Sequence, residues 1–322
     1  MIHLRLIVPP RVAPRVVEQL LAAPGVAHVV RFQGAGVMPS GDLILCDVVR
    51  EAADGVVESL QAQGVHRDGA ITIEALEAVI SDAAERAAVA APGNEADALI
   101  WEELEARART DADLSVSFLV FMCIAAVIAG IGILLDAPIL IVGAMVVGPE
   151  YGPLAALCVS AVRRRRRPVV RAVTTVATGL AFAAAASLAA TTALRLTGLV
   201  PEVYDVSGRE LTSFISRPDA LAAIVAILAG VVGMLSLTEA RSGPLIGVLV
   251  SVTTIPAAAN VGVATAYGAW SEVAGAALQL AVNVVGLVVA GVVTLGVQAR
   301  LTSAFRRPLR TSTPWRGRPR PG

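Results

Sequence analysis

The pattern of apolar and polar positions changes character once, near residue 113. Before that point it is made of short periodic segments. Ile2 to Val8 alternates as a strand does, and residues 14–22 place Val16, Val17, Leu20 and Leu21 at helical spacing. Gly25 turns the chain into a second strand at 27–32, and residues 34–41 (GAGVMPSG) are expected to be a hairpin connection. A third strand follows at 42–49, a helix at 53–63 ended by Gly64, and a fourth strand at 70–73. The order βαββαβ predicts a small α+β ferredoxin-like domain over residues 1–75. Residues 76–113 are Ala/Glu-rich and are expected to form a helical linker broken at Pro92-Gly93-Asn94. Its second helix, 95–109, carries Trp101, Leu104 and Ala108 on one side, as a stalk into the next domain or as a surface helix on the small one.

After residue 113 the apolar positions run together. Six runs reach the roughly 20 residues of helix that a hydrocarbon layer requires: 114–135, 138–162, 169–195, 219–237, 244–267 and 273–298. Stretches 172–194, 220–238 and 242–271 hold no charge. Core helices of a soluble protein are shorter and amphipathic, so this is a membrane domain, an all-α six-helix bundle over 114–298. A basic, proline-rich tail, expected to be disordered, occupies 299–322.

Composition agrees: 56% of the 322 residues are hydrophobic and 16% charged, where soluble proteins carry about 25% charged residues. The formal net charge of zero hides an asymmetry. Residues 1–113 hold 9 Arg against 18 acids, while 114–322 hold 17 Arg against 8. If the N-terminus is cytoplasmic, Arg163–Arg167, Arg171, Arg241 and the tail arginines lie inside, against Arg195, Arg209 and Arg217 outside. That bias predicts cytoplasmic N- and C-termini. The RRRRR run at 163–167 sits between two spans and anchors topology; no nucleic-acid partner is expected. The cysteines, Cys46, Cys123 and Cys158, are scattered, so neither a disulfide framework nor a metal site is expected, and the stretch MIHLRLIVPPRV, stopped by Pro9-Pro10, is not expected to act as a cleavable signal. His3, His28 and His66 are far apart in sequence and read as surface or edge histidines.

The chemistry of the membrane part is concentrated in two proline-bearing spans. In the second, Pro149 and Pro153 bracket Glu150, Tyr151 and Gly152; in the fifth, Pro256 precedes Asn260 and Gly262. Non-helical backbone at membrane depth is tolerated only where protein or a water-filled cavity satisfies its polar groups. Segments 129–149 (AGIGILLDAPILIVGAMVVGP) and 229–256 (AGVVGMLSLTEARSGPLIGVLVSVTTIP) are weakly alike. Each would belong to a three-span unit, and because three is odd the second unit is inverted. Matching helix breaks in inverted repeats point to a midplane transport site. Glu150 is the single charge deep in a span, at a cost of about 2.5–3.5 kcal/mol if ionised and unshielded. It is either an ion- or proton-binding group or a protonated carboxyl that bonds Thr253, Thr254 or Asn260 and joins two helices. The candidate ion or substrate ligands are Glu150, Tyr151, Asn260, Thr253 and Thr254; the candidate helix-break residues are Pro149, Gly152, Pro153 and Pro256. Gln279 and Asn283 either line a polar path or bridge helices. The membrane part has no His and no nucleophile with a basic partner, so it is not expected to be an enzyme, and no cofactor is implied.

The run from Trp101 through LSVSFLVFMCIAAVIAGIGILLDAPILIVGAMVVGPEYGPLAALCVSAVRR resembles the bacterial and archaeal domain-of-unknown-function 389 membrane family. The likeness rests on Gly143-Ala144-Met145 with Pro149, Gly152 and Pro153, on the basic turn that follows, and on the proline-bearing span around Pro256. It implies a multi-pass protein of the bacterial inner membrane and supplies no activity. Together these readings lead to a transporter or channel for a small solute or ion, with a site between spans two and five. The cytoplasmic ferredoxin-like head would bind a small-molecule effector, and the protein would be a homo-oligomer in the lipid bilayer. The alternative is a non-transporting membrane-anchored sensor or oligomerisation scaffold. Transport predicts a polar cavity around Glu150, Pro149, Pro256 and Asn260, whereas an anchor predicts tight apolar packing there.

Overall fold

The computed structural model describes residues 1–76, 78–91, 101–200, 220–238 and 254–305. They form two compact units, one within Met1–Ala98 and one within Leu99–Gln298.

The first unit runs β1 (Ile2–Val8), α1 (Ala13–Ala22), β2 (Val26–Val37), β3 (Ser40–Val48), α2 (Arg50–Ala62), the single-turn α3 (Val65–Asp68), β4 (Ala70–Ala75) and α4 (Asp82–Ala90). Its sheet is antiparallel in the order β2-β3-β1-β4. The period-2 alternation of β1 buries Ile2, Leu4, Leu6 and Val8, and the same alternation in β3 buries Ile44, Cys46 and Val48. Val16 and Leu20 of α1 and Ala53, Val57 and Leu60 of α2 are buried with them. Each such aliphatic side chain contributes about 1.5–3 kcal/mol when fully removed from water.

The hairpin differs from its sequence reading. Residues 34–41 are mostly strand, with only Met38 and the cis-linked Pro39 turning between β2 and β3. Gly34 and Gly36 belong to a register shift between Phe32 and Gly36; a second shift, between Ala27 and Val30, is made by His28 and Val29. Buried Asp42 holds this irregular edge by accepting the Gly34 amide at 2.8 Å and Arg31 Nε at 2.8 Å. The Gly34 amide, then Arg31, keep the Asp42 carboxyl below its usual range against the opposing effect of burial.

The second unit comprises α5 (Trp101–Asp111), α6 (Val116–Leu134), α7 (Pro138–Val147), α8 (Tyr151–Val162), α9 (Arg166–Leu196), α10 (Ala220–Thr238), α11 (Ile255–Ala266) and α12 (Trp270–Phe305). Among the described residues, α6, α9, α10 and α12 are each long and apolar enough to cross a membrane, and α7 with α8 makes a fifth crossing if the bent pair is one span. The expected fifth span, 244–267, is represented by α11 alone, because 244–253 lies outside the described residues, as do the loop arginines Arg209, Arg217 and Arg241 and residues 306–322 of the tail. Large apolar side chains such as Phe121, Val142, Phe182, Ile227 and Val289 face outward. A solvent-facing helix would not present them, and a lipid-facing one does.

Small residues set the helix spacing. A Cβ on Gly262 of α11 would lie 2.4 Å from the Ala184 carbonyl of α9, and one on Gly230 of α10 would lie 2.4 Å from the Leu287 carbonyl of α12. Backbone approach at this range is open only to glycine. The helix expected at 95–109 is described from Trp101 onward. Leu104, Ala108 and the following Ala112 pack with Ala155, Ala156 and Val159 of α8, so α5 is part of the membrane unit.

Candidate functional site

The second span breaks between Val147 and Tyr151, and α7 and α8 meet at 57°. Gly148 caps α7, its amide bonded to the Ala144 carbonyl at 3.1 Å, and its backbone then turns extended. Pro149 cannot donate a hydrogen bond, which ends the ladder. Glu150 is the N-cap of α8. Pro153 falls in the first turn of α8 and Pro256 in the first turn of α11, where the amide that proline lacks would have no intrahelical acceptor. These prolines therefore begin helices and do not interrupt them.

The same arrangement recurs at α11, whose N-cap is Thr254. The two starts meet. Thr254 Oγ1 donates to Glu150 Oε1 at 2.7 Å. Glu150 is 1% exposed, Thr254 0% and Asn260 3%. A Cβ on Gly148 would stand 2.5 Å from Glu150 Oε2 and 2.9 Å from Ile255, so glycine there makes room for the carboxylate and for α11. Two helix N-termini thus converge on one acidic side chain. Each carries a partial positive charge from its unsatisfied amides, which favours an anionic group at this place.

Residues 145–289 match the family described as domain of unknown function (DUF389). Over that segment, a little under half of the chain, the protein is similar to DUF389. No curated protein and no solved structure matches it.

The DUF389 segment starts in the last turn of α7 and takes in both breaks. Within it, the other candidate residues divide. Tyr151 leaves the carboxylate and donates its hydroxyl to the Gly233 carbonyl of α10 at 2.8 Å, tying α8 to α10. Gly152 admits the side chain of Asp111, whose Cβ would lie 2.9 Å from a Cβ placed there, so it serves the α5 contact more than the break. Asn260 lies on α11 among wholly buried neighbours, and Ser187 of α9 donates to the Ala259 carbonyl beside it at 2.8 Å. Gln279 Nε2 donates to Asn283 Oδ1 at 3.0 Å along α12. Thr253 lies outside the described residues. Around the pair the packing is close and apolar, with Ile141, Ala144, Met145, Ile255, Ala258, Ala259 and Val263 in one buried cluster.

Sequence reading did not find a second charged cluster at one end of this unit. Glu105 of α5 accepts from Arg163 Nε at 2.6 Å, with Arg165 at 3.2 Å and Arg109 at 3.8 Å. The Arg163 guanidinium also lies over the Trp101 ring, 5.2 Å from its centroid. Arg171 of α9 pairs with Asp113 at 2.6 Å. These ion pairs join α5 and the residues after it to the α8–α9 turn. The signal available in sequence was the acidic WEELE run facing the arginine run, but nothing in the spacing paired them.

Proposed function

We propose that this protein moves a small ion or solute across the membrane, and that Glu150 is the group at which the moving species or its coupling proton binds. The observation that supports it most is the meeting of two helix starts on a buried carboxylate bonded to Thr254. Such a carboxyl, at the start of α8 and bonded to the start of α11, can exchange a proton or cation when the helices part. The two segments meeting there are the ones that the 129–149 and 229–256 likeness relates as inverted repeats, which suits alternating exposure of one site. Glu150 and Thr254 are the primary ligands in this reading and Asn260 a further one.

The β2-β3-β1-β4 sheet order with helices returning past neighbouring strands fits a ferredoxin-like head. Its role would be to sense a cytoplasmic effector, with both termini on the cytoplasmic side of a bacterial inner membrane and several copies assembled. A second reading, a membrane anchor or oligomerisation scaffold, draws on the close packing about Glu150 and Thr254. In the transport reading that packing is an occluded state.

Ion and solute flux into proteoliposomes, wild type against Glu150→Gln, separates the two. Flux by wild type that is lost in the variant supports transport. If no ion or solute crosses with wild type, and no candidate effector of the head opens a path, the anchor reading stands instead.

A further inference from the structure

In the first unit the structure joins residues that sequence reading treated as unrelated. His3 of β1 and His28 of β2 flank Asp47 of β3: His3 Nδ1 is 2.7 Å from Asp47 Oδ1, and His28 Nδ1 is 2.6 Å from Asp47 Oδ2. The other ring nitrogen of His28, Nε2, is 2.8 Å from Ser81 Oγ. With Nδ1 protonated toward the carboxylate, Nε2 is left as an acceptor for the Ser81 hydroxyl. We propose that Ser81, His28 and Asp47 form a nucleophilic acyl-transfer site, with Ser81 the nucleophile, His28 the general base and Asp47 the residue that orients it.

Three features support a working arrangement. The contacts follow the order nucleophile to base to orienting carboxylate, each within hydrogen-bond reach. His28 has a φ of 52°, a left-handed conformation unusual for a side chain of its size, and it sits in the β2 bulge that swings its ring between β3 and Ser81. Ser81 is the N-cap of α4, where its Oγ accepts the Ala83 amide at 3.2 Å. The other first-turn amides of α4 have no intrahelical acceptor. Capping by itself needs no histidine, so the alignment of His28 on the same oxygen is an addition to the cap.

The reaction is ester hydrolysis in two halves. Ser81 Oγ bonds to the acyl carbon while its proton passes to His28 Nε2 and the carbonyl π pair moves onto oxygen. Collapse of that adduct breaks the bond to the leaving alcohol, which takes the proton from Nε2 and leaves acyl-Ser81. Water then repeats the route, releasing the acid and restoring the serine. Asp82 and Glu85 in the first turn of α4 repel anions, so the substrate class is a neutral or cationic carboxylic ester. His28 is one-third exposed, which leaves the imidazole open to a substrate from solution.

The test uses the full chain in detergent with an organophosphorus fluoride that phosphonylates activated serines, followed by peptide mapping, and with p-nitrophenyl acetate as a turnover probe. The expected result is one adduct on Ser81 of the folded protein, absent after denaturation. Ser81→Asn keeps a capping side chain but removes the nucleophile, and should abolish both signals. His28→Asn tolerates the left-handed backbone and should slow both by about 100-fold or more, the usual worth of a general base. Asp47→Asn should slow them too and erase a far-downfield imidazole N–H proton resonance, which a purely structural carboxylate would not produce. The proposal is overturned if folded wild type takes no label at Ser81, or if labelling there proceeds equally fast in His28→Asn.

Discussion

Thr254 Oγ1 donates to Glu150 Oε1 at 2.7 Å, across 104 positions of sequence and between the first residues of two helices. The bond has a measurable consequence apart from any transport. Thr254→Val keeps the side-chain shape and deletes the donor, leaving a buried acceptor short of a partner at a cost of about 1–3 kcal/mol. Glu150→Gln keeps an acceptor oxygen and nearly the same volume. Thermal unfolding in detergent should therefore show a lower Tm for Thr254→Val and a smaller change for Glu150→Gln. Equal Tm values for Thr254→Val and wild type would mean that the bond does not hold the breaks together.

Glycine positions in the membrane unit should respond in opposite directions. Gly262→Ala drives a methyl into the α9 backbone and forces α9 and α11 apart, an overpacking cost of about 1–3 kcal/mol. Gly143 has no atom within 4 Å of its would-be Cβ, so Gly143→Ala is accommodated and gains up to about 1 kcal/mol of helix propensity. The paired Tm shifts, down for the first and level or up for the second, check the close approach of α9 and α11.

Asp42 makes the stability of the first unit depend on acid. Its carboxyl is held below the ordinary value of 3.8, chiefly by the Gly34 amide and then by Arg31. The contribution is present above about pH 4, where the unfolded chain is also ionised, and it is lost as pH falls through the lower folded value. Asp42→Asn removes the charge that Arg31 pairs with. Hydrogen exchange of β2 and β3 amides in the full chain should show faster opening of the variant at pH 7. The difference from wild type should narrow as pH drops below 4; a constant difference would count against linkage through this group.

Glu105 ties α5 to the α8–α9 turn through Arg163 and Arg165. Partly exposed ion pairs contribute about 0.2–1 kcal/mol each and are screened by salt. Glu105→Gln should lower Tm by a few degrees at low ionic strength and by less at high. Quenching or a spectral shift of Trp101 fluorescence would report the loosened Arg163 contact. No salt dependence of the difference would argue that packing through Leu104 and Ala108 alone holds α5.

Much of this molecule was legible in its periodicities. Alternation in Ile2–Val8, helical spacing after Pro14, and apolar runs with their charges pushed to the ends specified the strand order along the chain, the membrane helices and the place of the first break. Glu150 stood out because an acidic residue in a long apolar run is costly, whatever surrounds it. Such signals are local: they report how each segment divides its own faces between water, lipid and protein.

Which buried faces meet is a separate matter, and here the tertiary structure decided it. The hairpin composition of residues 34–41 reads as a loop, yet Asp42 satisfies the bulged backbone of Gly34 and keeps it in the sheet. Trp101–Asp111 reads equally well as a stalk or a surface helix, until Leu104 and Ala108 find the α8 surface. Thr254 was one of three candidate partners for Glu150, and the glycine contact between α9 and α11 is among the packing that brings it there. His28, Asp47 and Ser81 carry no shared motif at all. Hydrogen bonds reach about 3 Å and depend on direction, so only the folded chain, bringing distant segments to that range at the right angle, could make them partners.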